Sequence, residues 1–277
     1  MAKPEEIRGK IVKNFTEILA NSKESQIAGI SGNNSFGHTA SGVIEDWTVE
    51  KLNAMNQNFH AFFPEILLET LFNKIGKNRK KIQDCLDQCW WSCWLGTKRY
   101  VEDFLKGKKL ERSQQDGADI LLFYGQDIVK DINSIILINA KSHNLSRQSR
   151  PPNIISCKRL LDDFYCLLYS PHYEKWFPQV NYWFISSSWE FQTKAQVKEI
   201  HIKDLFKLDL EKSSGLTINF DAAIQLQCHV NSMIENKQTK KDFMKNFSMK
   251  YLDDWKSFAK RRAGTNTKMV ELILKKT

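Results

Sequence analysis

Two short apolar runs, ADILLFY (118–124) and SIILINA (134–140), constrain the fold of this chain more than any other feature. Both are rich in Ile and Leu, and Gly125, Gln126 and several aspartates separate them. That is the pattern of two strands joined by a hairpin-like loop. What precedes them has helical spacing. Behind Pro4, residues 5–20 put Ile7, Ile11, Phe15, Ile18 and Leu19 on one stripe, and further helical patterns cover 41–56, 63–75, 79–95 and 98–106. After them a helix is expected from Asn153 to Tyr169, strands over 180–188 and 197–202, and helices over 220–234 and 240–262. This order lacks the strict strand–helix alternation of a dinucleotide-binding fold. Neither GxGxxG nor GxxxxGK[ST] occurs, which argues against dinucleotide and nucleoside-triphosphate enzymes. With no repeat, low-complexity tract or Pro/Gly-rich linker, the expectation is a single α/β domain over 1–277. It would comprise a mainly helical portion (1–110), a sheet portion (111–205) and a basic, partly helical portion (206–277).

A hydrophobic share of 42% with 26% charged residues excludes a disordered chain. No run reaches the roughly 18 apolar residues of a membrane span, so no membrane partner is expected. The start, MAKPEEIRGK, lacks the apolar core of a secretory leader, and the expected compartment is the cytoplasm. Cys85, Cys89 and Cys93 recur every fourth residue beside Trp90, Trp91 and Trp94. A closed zinc site wants four ligands, and no CxxC or nearby HxxxH completes that set, so a buried helix face is the expected role.

The net charge of +9 is concentrated at one end. From Lys237 onward, twelve Lys or Arg oppose four acids. Phe243, Phe247, Tyr251, Trp255 and Phe258 recur among them at helical spacing, giving an amphipathic helix with a cationic outer face. Such a surface concentrates polyanions, and neutralised phosphates release counterions. The alternative is a solvated face that touches nothing.

Asp119 opens the first apolar run, and Asn139 and Lys141 close the second, two residues apart and therefore on one face of their strand. In an antiparallel pair the start of one strand lies beside the end of the next. An acid, an amide oxygen and a lysine gathered there suit metal-assisted phosphodiester hydrolysis. The carboxylate would hold Mg²⁺, a hard cation preferring oxygen ligands. The ion would polarise the phosphate and acidify a bound water, while the lysine orients or deprotonates that water and offsets developing charge. A plain ion pair is the other explanation of such spacing.

Three blocks extend the pattern: GHTASGVIEDW (37–47), the stretch GADILLFY…SIILINAKSHNLSRQSRPPNIIS (117–156), and LTINFDAAIQLQCHV (216–230). In this order they resemble the HincII/HindII group of type II restriction endonucleases, within the PD-(D/E)xK nuclease superfamily. The resemblance implies a restriction-endonuclease-like mixed central sheet flanked by helices, with helical N- and C-terminal portions. The implied activity is Mg²⁺-dependent double-strand cleavage of DNA at a short palindromic site, leaving 5′-phosphates. It further implies that Asp119 binds metal, that Lys141 is the catalytic lysine, that the Ala140 carbonyl is a further ligand, and that Glu45 orders the site. Asn153 and Asn219 match asparagines of two base-reading segments, and Arg150 and Pro151 fall in the loop that presses into the centre of the site. A palindrome is read by a two-fold protein. A homodimer on double-stranded DNA is therefore expected, with the helices near 41–75 as candidate dimer surface and a separate cognate DNA methyltransferase in the same system.

Two departures bear on function. Asn139 stands where the family carries a second catalytic aspartate, and an amide oxygen is a poorer Mg²⁺ ligand than a carboxylate. Asp131 lies too far upstream to substitute, leaving Glu45 or Asp116 to help; the alternative is a catalytically impaired DNA-binding protein on the same fold. Arg150 replaces an uncharged amide and Thr217 an aromatic residue, so the site need not be the family's hexamer. Arg most often reads guanine, so a G-containing palindrome is expected. The histidines form no paired set, and RPPN (150–153) lacks the flanking types of a DNA methyltransferase tetrapeptide. A basic RNA-binding or scaffold protein is the remaining reading.

Overall fold

A computed structural model describes residues 3–30, 37–55, 58–113, 116–146, 153–191, 193–211, 216–221 and 224–275. The chain divides into two compact units, Met1–Arg150 with Asp163–Leu205 and Pro151–Asp162 with Phe206–Thr277.

The first unit carries α1 (Pro4–Ala20), β1 (Gln26–Ile27), α2 (Gly37–Ala54), β2 (His60–Phe62) and α3 (Pro64–Ile75). These are followed by α4 (Arg79–Leu86), α5 (Ser92–Leu95), α6 (Lys98–Leu105), β3 (Ile120–Phe123) and β4 (Ile135–Asn144). Proline opens both α1 and α3, where its missing N–H costs nothing, and the Asn78 side chain caps α4 by accepting the Lys81 N–H at 3.0 Å. In chain order come β5 (Asn153–Ser156), α7 (Cys157–Leu168), α8 (Tyr173–Trp176), β6 (Tyr182–Phe191) and β7 (Ala195–Asp204). Last are β8 (Thr217–Asn219), β9 (Gln225–Gln227) and α9 (Lys240–Leu274).

The expected hairpin is part of a six-stranded sheet in the order β1-β7-β6-β4-β3-β2, with β4 at its centre beside β6. β3 and β4 pair antiparallel with Ile120 opposite Ile138, whereas β4 and β6 run parallel, so the sheet is mixed. On one face Ile120, Leu122, Ile136, Ile138, Trp183 and Ile185 meet the apolar stripes of α1 and α2, where Phe15 stacks on Trp47 at 6.1 Å. On the other, Trp94 of α5 packs against Tyr182 at 5.5 Å and Phe164 at 6.2 Å. Burial from both sides explains why these strands read as unbroken apolar runs instead of alternating ones. Each large side chain so buried contributes about 1.5–3 kcal/mol. The fold class is thus as expected, a mixed sheet flanked by helices.

Gly125 makes the turn out of β3 possible, since a Cβ there would lie 2.3 Å from that of Asp131. The Asp131 carboxylate accepts the N–H groups of Gln126 (2.7 Å) and Asp127 (3.1 Å), so this acid orders the loop.

In the second unit β5, β9 and β8 form a three-stranded antiparallel sheet in that order. Phe220, just after β8, is surrounded by Tyr251, Trp255 and Phe258 of α9 at 5.7, 5.5 and 5.3 Å. Thr239 and Asp242 start α9 with a reciprocal capping box.

Several expectations are corrected. Asn153–Ser156 is a strand, with the helix beginning only at Cys157, because β-branched Ile154 and Ile155 follow two prolines and pair along β9. Among the described residues of 220–234 the expected α-helix does not form; Gln-Leu-Gln has the period of two of a strand, and only a short 3-10 turn follows at Val230–Ser232. Cys85, Cys89 and Cys93 do not share a helix, since α4 ends at Leu86 and the chain turns to bury Trp90 and Trp91. α9 runs twelve residues past its expected end, for it meets no proline, and Gly264 alone is a weak breaker. Among the described residues no helix is long and apolar enough to cross a membrane.

Candidate active site

Asp119 lies one residue before β3, and its position is fixed by two backbone atoms of β4. Its N–H donates to the Ile138 carbonyl at 2.9 Å, and its Oδ2 accepts the Ala140 N–H at 2.8 Å. The acid therefore holds the strand on both sides of Asn139. Asn139 is buried, and its Oδ1 has no hydrogen-bond partner among the described residues. A buried acceptor left unmet costs about 1–3 kcal/mol, and such a group calls for an explanation, a ligand among them. Lys141, two residues on, acts electrostatically on both Asp119 and Glu45. Burial raises the Asp119 carboxyl above its ordinary pKa, opposed by Lys141, the Ala140 N–H and Arg112.

Glu45 arrives from α2, where Ser41 one turn earlier donates to its Oε1 at 3.2 Å. Arg112 donates to its Oε2 at 3.3 Å. Burial first, then the neighbouring Asp119, push its pKa up to about 7; Arg112, Ser41 and Lys141 only partly offset them. Arg112 is shared: its guanidinium also lies 3.6 Å from Asp46 and 3.5 Å from Glu65, and stacks 3.9 Å over the Phe63 ring. One planar cation thus ties α2 to the start of α3. Ser41, Glu45, Arg112, Asp116 and Asp119 line a cleft of about 270 Å³. Asp116 is committed elsewhere, accepting from the Tyr100 hydroxyl and, at 3.0 Å, from the Ser113 N–H, with Arg99 at 3.8 Å. Of the two acids expected to compensate for Asn139, Glu45 is the one less engaged by hydrogen bonds from the backbone and hydroxyls around it.

The donors gathered here, a carboxylate, an amide oxygen and a second acid close by, are all oxygens and fit a hard divalent cation better than a soft one. Among the described residues no group of three His, Cys, Asp or Glu is placed to hold a metal.

The base-reading candidates belong to the second unit. Asn153 starts β5, and Thr217 and Asn219 are on β8. Asn219 Oδ1 accepts the Asp221 N–H at 2.9 Å, and Asp221 pairs with Arg262 of α9. Arg150 and Pro151 lie outside the described residues, as does the Asn153 side chain. Two kinds of residue escaped the sequence reading. Arg112 carries no signal at all, being a single cation in an irregular segment. Gln225 and Gln227 carried one, an alternation around Leu226, within a stretch expected to be helical.

A sequence model described as restriction endonuclease HincII matches residues 96–276. The type II restriction enzyme HindII of Haemophilus influenzae is 30% identical over 143 residues, covering 50% of this chain and 50% of that protein. The chain thus spans about half the length of the curated relative it matches. Among solved structures, NlaIV restriction endonuclease aligns over 51% of this chain and 54% of its own at 12% identity, with a TM-score of 0.28.

Proposed function

The chain belongs to the HincII restriction endonuclease family, and from that premise we propose that it is a type II deoxyribonuclease. It would cut both strands of DNA at a short palindromic sequence with Mg²⁺, leaving 5′-phosphates. The observation that supports this best is the buried Asn139 Oδ1, without a partner and flanked by the two backbone atoms that Asp119 holds.

Asp119, Asn139 and the Ala140 carbonyl would hold the cation, with Glu45 nearby. When bound, it would supply Lewis acidity toward the scissile phosphate and its water. Lys141 brings a positive charge beside the two acids, suited to orient the attacking water and to offset charge on the phosphorane. Glu45, near half-protonated at neutral pH, can hold or release a proton beside that reaction. Arg112 keeps Glu45 oriented. In the other unit Asn153, Thr217 and Asn219 would contact base edges, and Arg150 with Pro151 would enter the centre of the site, Arg150 reading guanine. The enzyme would act in the cytoplasm as a homodimer, one half-site per copy, beside a separate methyltransferase that protects host DNA.

Plasmid digestion tests this reading. Discrete fragments are expected with Mg²⁺, and Lys141→Ala should abolish them while DNA binding persists. Sequence-selective binding in EDTA with no cleavage in any divalent metal would identify a binding protein on the nuclease fold instead.

A further inference from the structure

We propose that Gln225 and Gln227 are specificity-determining residues that read adenine in each half-site; this deepens the nuclease reading above and rests on it. β9 is the central strand of the small sheet, and its register places each glutamine between two polar neighbours. Gln227 lies opposite Asn153 on one side and Thr217 on the other, and Gln225 lies opposite Ser156 and Asn219. Directly opposed residues of adjacent strands point to the same face, and residues two apart do so within a strand. One face of the sheet therefore carries rows of hydrogen-bonding side chains, Gln225 between Ser156 and Asn219 and, beside it, Gln227 next to Thr217. Leu226 between them is fully buried on the opposite face, on the side of Ile218 and Phe220, where α9 packs. Gln225 and Gln227 are only half-buried.

The chemistry of the rows narrows what they fit. They contain amides and hydroxyls and no charge, so they are built to discriminate hydrogen-bond patterns, leaving phosphate attraction to other surfaces. A glutamine amide matches the N6 donor and N7 acceptor of adenine with two bonds at once. One lone pair of the Asn219 Oδ1 already accepts the Asp221 N–H. Its remaining strength is as a donor, toward acceptor edges such as guanine O6 and N7. By position and chemistry the central glutamines suit adenine, and the flanking Asn219 suits a purine acceptor.

The test compares the full-length protein with Gln225→Ala, Gln227→Ala and Gln227→Glu. A phage genome is digested with Mg²⁺ and the fragment ends are sequenced. Each alanine variant should lose discrimination at one symmetric pair of A·T positions, by on the order of 10- to 100-fold in the ratio of cognate to mismatched cutting. Gln227→Glu should move the preference at that position toward cytosine, whose N4 donates to a carboxylate. Circular dichroism and binding to non-cognate DNA check that the variants are folded. Unchanged ratios at every position in folded variants overturn the proposal while leaving the nuclease intact. If the wild-type chain cuts nothing, sequences selected by binding in EDTA replace fragment ends as the readout. Absence of any preference there would remove the nuclease reading and this one together.

Discussion

Asn139 is where a single atom type decides most. An aspartate there would add a charged oxygen beside Asp119, raising both the attraction for a divalent ion and the repulsion between acids in its absence. Asn139→Asp is expected to bind Mg²⁺ more tightly in calorimetric titration, and to retain or raise cleavage at low Mg²⁺. An unchanged metal dependence would place the ion elsewhere. Glu45 gives a second outcome through pH. Its pKa is 4.5 ordinarily and about 7 in the folded protein, so the folded state holds its proton more tightly. Stability from that proton is fully present below about pH 4.5 and is lost as pH rises through 7. Glu45→Gln should therefore raise Tm relative to wild type at pH 8, by up to about 3 kcal/mol in stability, and make little difference at pH 4. A Tm gain equal at both pH values would contradict it. The closeness of Asp119 to residues 138–141 was legible from the pairing of the two apolar runs, although Asn139 and Lys141 lie inside β4 and not at its end, and Glu45 was named only through the family resemblance. Arg112 was not, since its role exists only after α2, α3 and its own segment have come together.

Elements that bury both faces, or one wide stripe, could be read from sequence; those held by a local partner could not. β3, β4, β6 and β7 were expected within a few residues of where they lie, β3 and β4 from short Ile- and Leu-rich runs and β7 from the alternation in VKEIHI. The break between α4 and α5 was missed, as its cause is tertiary. Trp91 donates to the Ile132 carbonyl at 2.7 Å, Trp90 to the Asn133 carbonyl at 3.2 Å, and Asn133 donates back to the Gln88 carbonyl at 2.9 Å. This exchange docks the 87–91 turn on the loop between β3 and β4. Trp91→Ala is expected to cost about 3–5 kcal/mol, and Trp91→Phe about 1–3 from the orphaned carbonyl. Urea midpoints of the two variants check the order, and equal midpoints would show that the hydrogen bond adds nothing. For β5 and β9, segments of four and three residues are too short for periodicity to separate strand from helix.

At the scale of the whole molecule, the excess charge and the polar rows proposed to read bases lie on different elements. The net +9 arises mostly from the last 41 residues, whereas the rows centred on Gln225 and Gln227 carry none. Non-specific affinity should accordingly follow α9 and depend steeply on salt, and sequence choice should follow the small sheet and depend on it weakly. Lys256 and Lys260 are exposed on α9. If each meets a phosphate, replacing both with Gln should reduce the slope of log affinity against log salt by about two, with site preference unchanged. A steady slope would put the electrostatic footprint on another surface. Total charge was plain from the sequence, but its separation from the reading rows emerged only with strand register, which no count of residues contains.

The hold that Asp119 keeps on the backbone has a practical corollary. Its Oδ2 already accepts the Ala140 amide proton, so an ion drawn to that carboxylate would withdraw charge from the acceptor and weaken this bond. Occupancy should then be audible in one peptide group: the exchange rate and chemical shift of the Ala140 amide would report arrival of the ion with no DNA in the tube and before any bond is cut.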